Sequence, residues 1–201
     1  MEWALPPERF ADADYRDLGD FTLQPFQAGW RHDEAGLLVT LTRHGHLQTD
    51  AGPVPATVRK ALRLPRGRAE LHVEYTVALE GAAPPGVLFA SEWNLNLLGG
   101  GGNPAAYYLL PNSRGGRRAA MDSRGEAVEV RRLALVNEGL GVRLRLECHP
   151  PARLWRFPVE SLSSSEGGLE RVYQGSCVAL LYPLPTASGE PLTVRLTWRA
   201  E

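Results

Sequence analysis

Cysteine and lysine are scarce in this chain of 201 residues. The two cysteines, Cys148 and Cys177, are too few for a disulfide scaffold, and two separate buried thiols are expected rather than a bridge. Lys60 is the only lysine, and the other 21 of the 22 cationic residues are arginine. The formal net charge is −1. Because neither sign of charge dominates, neither nucleic acid nor an anionic membrane surface is expected as a partner.

Long hydrophobic runs are also missing. No stretch approaches the roughly 18 apolar residues that span a bilayer. Residues 1–7 have neither the basic region nor the apolar run of a secretory signal. A cytoplasmic location is therefore expected. The length fits a single domain over 1–201, with 1–14 as an N-terminal extension or linker.

No cofactor and no metal is indicated by the residue pattern. The glycine run at 99–102 lacks the spacing and the lysine of a phosphate-binding loop. His44 and His46 could share a strand face, but no third ligand is in view.

Alternation of apolar and polar residues is the dominant pattern of the chain. It is cleanest over 71–79, 142–147 and 192–198, and it predicts half-buried strands there. Further strands are predicted over 37–41, 87–98, 127–136 and 172–182. Turn-forming residues between these segments favour an all-β fold, an antiparallel β-sandwich.

Two segments depart from this pattern. A short helix is predicted from Pro6 to Leu18, because two prolines precede its first turn. The glycine- and arginine-rich segment 99–126 is predicted to be a long loop, a feature that is often functional in a compact domain.

The strand predicted over 87–98 has two unlike faces. Glu92, Asn94 and Asn96 alternate with apolar residues and point the same way. Because asparagine is depleted in strands, this row predicts a polar groove that binds sugar hydroxyls or a calcium ion. The alternative is a solvated face, or side chains that pin neighbouring loops.

The segment 154–175, LWRFPVESLSSSEGGLERVYQG, combines aromatic rings with carboxylates, guanidinium groups and an amide. Rings that stack on a sugar and planar groups that bind its hydroxyls are what a carbohydrate site needs. The candidate residues, with one tyrosine from beside the glycine run, are Trp155, Arg156, Glu166, Tyr173, Gln174 and Tyr107.

Each of the larger candidates also has a structural interpretation. Trp155 alternates with Phe157 and Val159, which favours a place in the core. Arg156 could form ion pairs with nearby glutamates, namely Glu160, Glu166 or Glu170. Tyr107 could anchor the glycine-rich loop to the core.

The same segment resembles the end of the C-terminal β-sandwich domain of glycoside hydrolase family 57 α-amylases and 4-α-glucanotransferases. Weaker similarities occur in the right order, at 17–21, 41–45, 71–79 and 88–98, so that the resemblance covers residues 15 to 198. It implies the galactose-mutarotase-like superfold.

The resemblance also implies that catalysis takes place outside this sandwich domain. In that family, the glutamate nucleophile and the aspartate acid/base lie in an N-terminal barrel that has no match here. No catalytic residue is therefore assigned. The implied function is a non-catalytic accessory domain that supports this barrel, in cis or in trans, with α-1,4-glucan as a possible ligand. The alternatives are a mutarotase-like epimerase that uses His72 or His149 with Glu92, and a purely structural docking domain.

Overall fold

The computed structural model describes residues 5–98, 102–111, 116–165, 168–186 and 189–201. Strands dominate this part of the chain, and the predicted all-β antiparallel fold is confirmed. The elements are α1 (Pro7–Ala11), β1 (Gln27–Asp33), β2 (Gly36–Thr49), β3 (Gly52–Pro65), β4 (Glu70–Leu79), β5 (Leu88–Leu95), β6 (Ala106–Leu110), β7 (Arg117–Ala120), β8 (Gly125–Asn137), β9 (Val142–Ser165), β10 (Gly168–Pro183) and β11 (Leu192–Ala200).

The chain forms two compact units. The first consists of Met1–Phe89, Cys148–Pro150 and Tyr182–Arg199, and the second of Ala90–Glu147, Pro151–Leu181 and Ala200–Glu201.

The first unit contains the strand series β1-β2-β3-β4-β11, in which neighbours pair antiparallel. Val73 and Leu196 lie opposite each other on β4 and β11 and are buried. The alternation predicted over 71–79 and 192–198 is confirmed, because every second side chain of these strands enters the core.

The second unit is built around β9, which pairs with β8 on one side and with β10 on the other. The series continues from β8 to β6 and from β6 to β7, while β5 pairs with β10. The segment 154–175 forms most of the β9–β10 hairpin.

Two predictions on the secondary structure need correction. A loop over 99–126 is wrong for part of the segment, because β6 and β7 lie within it and pair with each other. Residues 99–101 and 112–115 of the predicted loop lie outside the described residues. The helix predicted to Leu18 ends at Ala11, since Ala13 has a positive φ of 55° that a right-handed helix does not accommodate.

Both cysteines are buried and no disulfide joins them, as the sequence predicted. In the described ranges, no helix is long and apolar enough to cross a membrane. Within the same ranges, no three histidine, cysteine, aspartate or glutamate side chains come together in a way that could hold a metal ion.

Candidate functional site

The polar face of β5 is the first candidate site in the second unit. Glu92, Asn94 and Asn96 are exposed, as their alternation predicted. Asn94 Nδ2 donates a hydrogen bond of 2.7 Å to Glu92 Oε1. Asn96 Oδ1 accepts one of 2.7 Å from the Leu98 amide. Both hydrogen bonds hold the side chains in place and leave acceptor and donor groups free to meet a ligand.

Strand β10 approaches β5 closely at a glycine. A Cβ atom added at Gly175 would lie 3.0 Å from the Leu95 carbonyl oxygen and 3.8 Å from Asn96 Cβ. Nearer the other end of β5, burial and the neighbouring Glu92 carboxylate raise the pKa of the Cys177 thiol. At Gly175, strand β10 therefore lies beside the Asn96 end of β5.

The residues just before Gly175 are Tyr173 and Gln174, and they form a bulge. The register with β9 shifts between Tyr173 and Gly175, so that Gln174 is the extra residue. Gln174 is exposed and donates to Ser161 Oγ over 2.8 Å. Tyr173 is half-buried, and its hydroxyl lies 2.6 Å from Ser176 Oγ. Burial raises the pKa of Tyr173, so the phenol stays neutral at physiological pH.

Together the open candidates of β5 and β10 carry one carboxylate, three amides and a neutral phenol. Amides and phenols both donate and accept hydrogen bonds, as hydroxyl groups of a sugar do. We call these five residues the β5–β10 polar site: Glu92, Asn94, Asn96, Tyr173 and Gln174.

The candidate role of Trp155 as a stacking platform is wrong. Its side chain has 0% exposure, so neither face of the ring is open to a ligand. Trp155 lies opposite Ala179 of β10, which is also fully buried. The alternative placement in the core is confirmed.

Tyr107 does not line an open groove either. Its ring is buried beside Ala134 and Val136, and the Arg118 guanidinium lies 4.0 Å from the ring centre. The Tyr107 hydroxyl donates to Glu138 Oε1 over 2.8 Å. This hydrogen bond raises the pKa of Tyr107. Tyr107 is thus anchored to the core, as the alternative interpretation predicted.

Arg156 is buried, and its contacts differ from the predicted ion pairs. Nη1 donates to the Ser123 carbonyl oxygen over 2.6 Å and also contacts Ser123 Oγ. The guanidinium lies 5.2 Å from the centre of the Tyr108 ring. Glu160 pairs with Arg171 instead, at 3.2 Å. A buried guanidinium held in this way is a structural element, so Arg156 leaves the set of sugar-contacting candidates. Glu166 lies outside the described residues.

The mutarotase-like alternative finds no support at His72. One ring nitrogen of His72 lies 3.1 Å from Glu70 Oε2 and the other 3.2 Å from Thr197 Oγ1. Both nitrogens are therefore used within the first unit.

Sequence reasoning missed the serines that position the site. Ser161 holds Gln174, and Ser176 holds Tyr173. A signal was available, because the Glu-Gly-Gly sequence at 166–168 separates two strand-like runs and indicates a hairpin turn. In the structure, the serine-rich run 161–165 pairs with residues 168–172 of β10.

An open groove of about 430 Å³ lies elsewhere in the second unit, between β6, β8 and β9. Arginine side chains border it at positions 132, 143 and 145, and Arg145 pairs with Glu201 at 3.1 Å. None of the β5–β10 polar site residues lines this groove.

Comparison with solved structures defines the class of fold. The galactose mutarotase related enzyme of Lactobacillus acidophilus matches 88% of this chain and 71% of its own, with a TM-score of 0.51 and 8% identity. At that identity the likeness shows the fold alone, a β-sandwich.

The family follows from the sequence. Residues 4–196 match the family described as alpha-amylase/4-alpha-glucanotransferase, C-terminal. This match extends over nearly the whole chain, and the chain belongs to that family.

Relatives within the family are much longer proteins. A 4-α-glucanotransferase of Thermococcus litoralis is 29% identical over 185 residues, which are 90% of this chain and 23% of that protein. Its crystal structure aligns with 99% of this chain at a TM-score of 0.74 and 24% identity. Alpha-amylase 1 of Dictyoglomus thermophilum is 31% identical over 140 residues, 70% of this chain and 18% of that protein. The chain thus spans about a fifth of the curated relatives that it matches.

Proposed function

We propose that this chain is a non-catalytic accessory domain of an α-glucan-processing hydrolase or transglycosylase of glycoside hydrolase family 57. It supports a catalytic barrel, in cis or in trans, and its β5–β10 polar site binds α-1,4-glucan. Membership of a C-terminal domain family of amylases and glucanotransferases supports the first part. A cytoplasmic location remains a prediction.

The observation that carries the glucan-binding part is the exposed row on β5. Glu92 and Asn94 share one face of β5, and Asn96 follows directly after its last residue. Such a polar row is unusual, because strands favour β-branched and aromatic residues. The hydrogen bond of 2.7 Å between Asn94 and Glu92 orders both side chains before a ligand arrives. Such preorganisation lowers the entropy lost on binding.

Glu92 is proposed to accept hydrogen bonds rather than to catalyse hydrolysis. A retaining glycosidase needs two carboxyl groups about 5 Å apart. The described neighbours of the Glu92 carboxylate are Asn94 and Cys177, and neither is a carboxylic acid.

Electrophoresis of the native chain through gels that contain glycogen tests this proposal. Binding retards the chain in glycogen but not in gels that contain dextran, an α-1,6-linked glucan. We expect Glu92→Ala and Asn94→Ala to lose the retardation, because both remove ordered hydrogen-bonding groups from the site. The matched control is Glu190→Ala, an exposed glutamate of the first unit. Equal retardation of all variants would show that glycogen binds outside the β5–β10 polar site, and no retardation of any variant would argue for a purely structural domain.

A further inference from the structure

The first unit carries an apolar sheet face that is only partly covered. Trp30 on β1 lies opposite Val39 on β2, which lies opposite Leu62 on β3. Leu62 in turn lies opposite Val73, whose side chain enters the core of the unit. Because residues directly opposite each other share a face, this row extends the core-forming face outward to β1.

The neighbouring rows add further apolar residues to the same face. Leu37 lies opposite Leu64, and Leu41 lies opposite Lys60. The Lys60 amine lies 4.3 Å from the centre of the Phe26 ring. We define the apolar β1–β3 face by six residues: Trp30, Leu37, Val39, Leu41, Leu62 and Leu64.

None of these six side chains is fully buried. Trp30 is 77% exposed and Leu64 is 45% exposed, while the other four are half-buried. The alternate positions on the same strands are mostly polar, with Arg31 on β1, Thr40 on β2 and Arg63 on β3. The sequence thus keeps the apolar residues on the face that the described residues leave partly open. Contiguous apolar patches of this kind mark interaction surfaces.

Lys60, the only lysine of the chain, is half-buried within this face. Its hydrocarbon stem adds apolar contact area, while its amine can reach the edge of an interface. Burial also lowers the pKa of Lys60 from its usual value. The face as a whole offers few hydrogen-bonding groups, so it fits a protein surface rather than a sugar.

We propose that the apolar β1–β3 face docks onto an apolar surface of the catalytic portion of the enzyme. This inference depends on the proposed accessory role. The length of the relatives supports it. The matched region is only 23% or 18% of those proteins, so a much larger portion of the same chain is available for this face to contact. Trp30, being large and exposed, is the expected centre of the contact, because tryptophan is enriched at interface hot spots.

Analytical ultracentrifugation and isothermal titration calorimetry test the proposal, since they measure whether a complex forms and with what Kd. The partner is Dictyoglomus thermophilum alpha-amylase 1 produced without its C-terminal region, with its folding checked by a melting transition. The variants are Trp30→Ser and Leu64→Gln. Both residues are exposed, so we expect these variants to fold. Leu169→Ser on β10 is the matched control, because Leu169 is also 77% exposed.

We expect a one-to-one complex whose Kd rises at least about tenfold in the two face variants and is unchanged in the control. Equal binding by all variants would overturn the proposal, as would the absence of a complex. Self-association of the chain that Trp30→Ser abolishes would also overturn it and assign the face to a second copy.

Acylation of Lys60 gives a second readout that needs no substitution. Peptide mapping separates this lysine from the terminal amine. Protection of Lys60 in the complex supports the docking face, and unchanged reactivity counts against it. Glycogen retardation is measured separately, so a chain that docks but does not bind glucan would contradict only the glucan-binding proposal.

Discussion

The guanidinium of Arg156 occupies the space beside Gly125 that a side chain would need. The two residues lie opposite each other on β9 and β8, and a Cβ atom at Gly125 would come within 2.8 Å of Arg156 Nη2. Arg156 is fixed there by the Ser123 carbonyl and the Tyr108 ring. Burial lowers the pKa of Arg156, which nevertheless remains charged at neutral pH. Gly125 is therefore part of the packing around a buried cation.

Gly125→Ala is expected to destabilise the chain by about 1–3 kcal/mol, since overpacking forces neighbouring groups to shift. Gly29→Ala is the control, because a Cβ atom at Gly29 would meet nothing within 4 Å. Denaturation in urea measures both. Equal free energies of unfolding for the two variants would show that the guanidinium moves aside without cost.

Trp155→Ala is expected to lower the free energy of unfolding by about 3–5 kcal/mol, because it removes a fully buried indole ring and leaves a cavity. Leu162→Ala, at a residue that is 66% exposed on the same strand, should have little effect. A stable Trp155→Ala chain that no longer binds glycogen would restore the stacking interpretation.

The pH dependence of stability should depend on Asp20. Burial alone would raise the pKa of this carboxyl group. The His46 amide donates a hydrogen bond of 3.0 Å to Asp20 Oδ1, and the Arg43 guanidinium forms an ion pair with the same carboxylate. Together these two groups outweigh the effect of burial, so the pKa of Asp20 lies below its usual value. The charged form is thus favoured by folding. The stability that it contributes is present above the ordinary carboxyl pKa and is lost as the pH falls through the lowered one.

Asp20→Asn should therefore cost about 1.5–3 kcal/mol at pH 7, the range for hydrogen bonds to charged groups. The difference from the native chain should shrink as the pH falls through the lowered pKa of Asp20. Urea denaturation over a series of pH values measures this difference in the free energy of unfolding. The control is Asp50→Asn, in an exposed turn. A difference that stays constant down to acid pH would mean that the Asp20 charge does not matter.

The strands that sequence predicted best are those with one buried and one exposed face. Val73 and Leu196 alternate with polar residues because their strands cover a core on one side only. Strand β1 was missed because all seven of its residues are exposed and leave no alternation to detect. Strand β6, with the sequence AYYLL, was missed for the opposite reason, since four of its five residues are buried.

The residues of the candidate site also fall into those that the sequence could predict and those that it could not. The row of Glu92, Asn94 and Asn96 was predictable because alternation alone assigns its residues to one face. Alternation could not decide between core and groove for Trp155, because it does not say which face another layer covers. The contact of Arg156 with Ser123 joins residues 33 positions apart, and no local pattern reveals such a pair.

Calorimetric titration of the chain with maltoheptaose tests the central claim most directly. Galactose serves as the control ligand, and the mixture is examined for sugar products. The account predicts saturable heat with maltoheptaose, none with galactose, no products, and loss of the heat in Glu92→Ala. The absence of heat with maltoheptaose would contradict glucan binding, and the appearance of products would contradict a non-catalytic role.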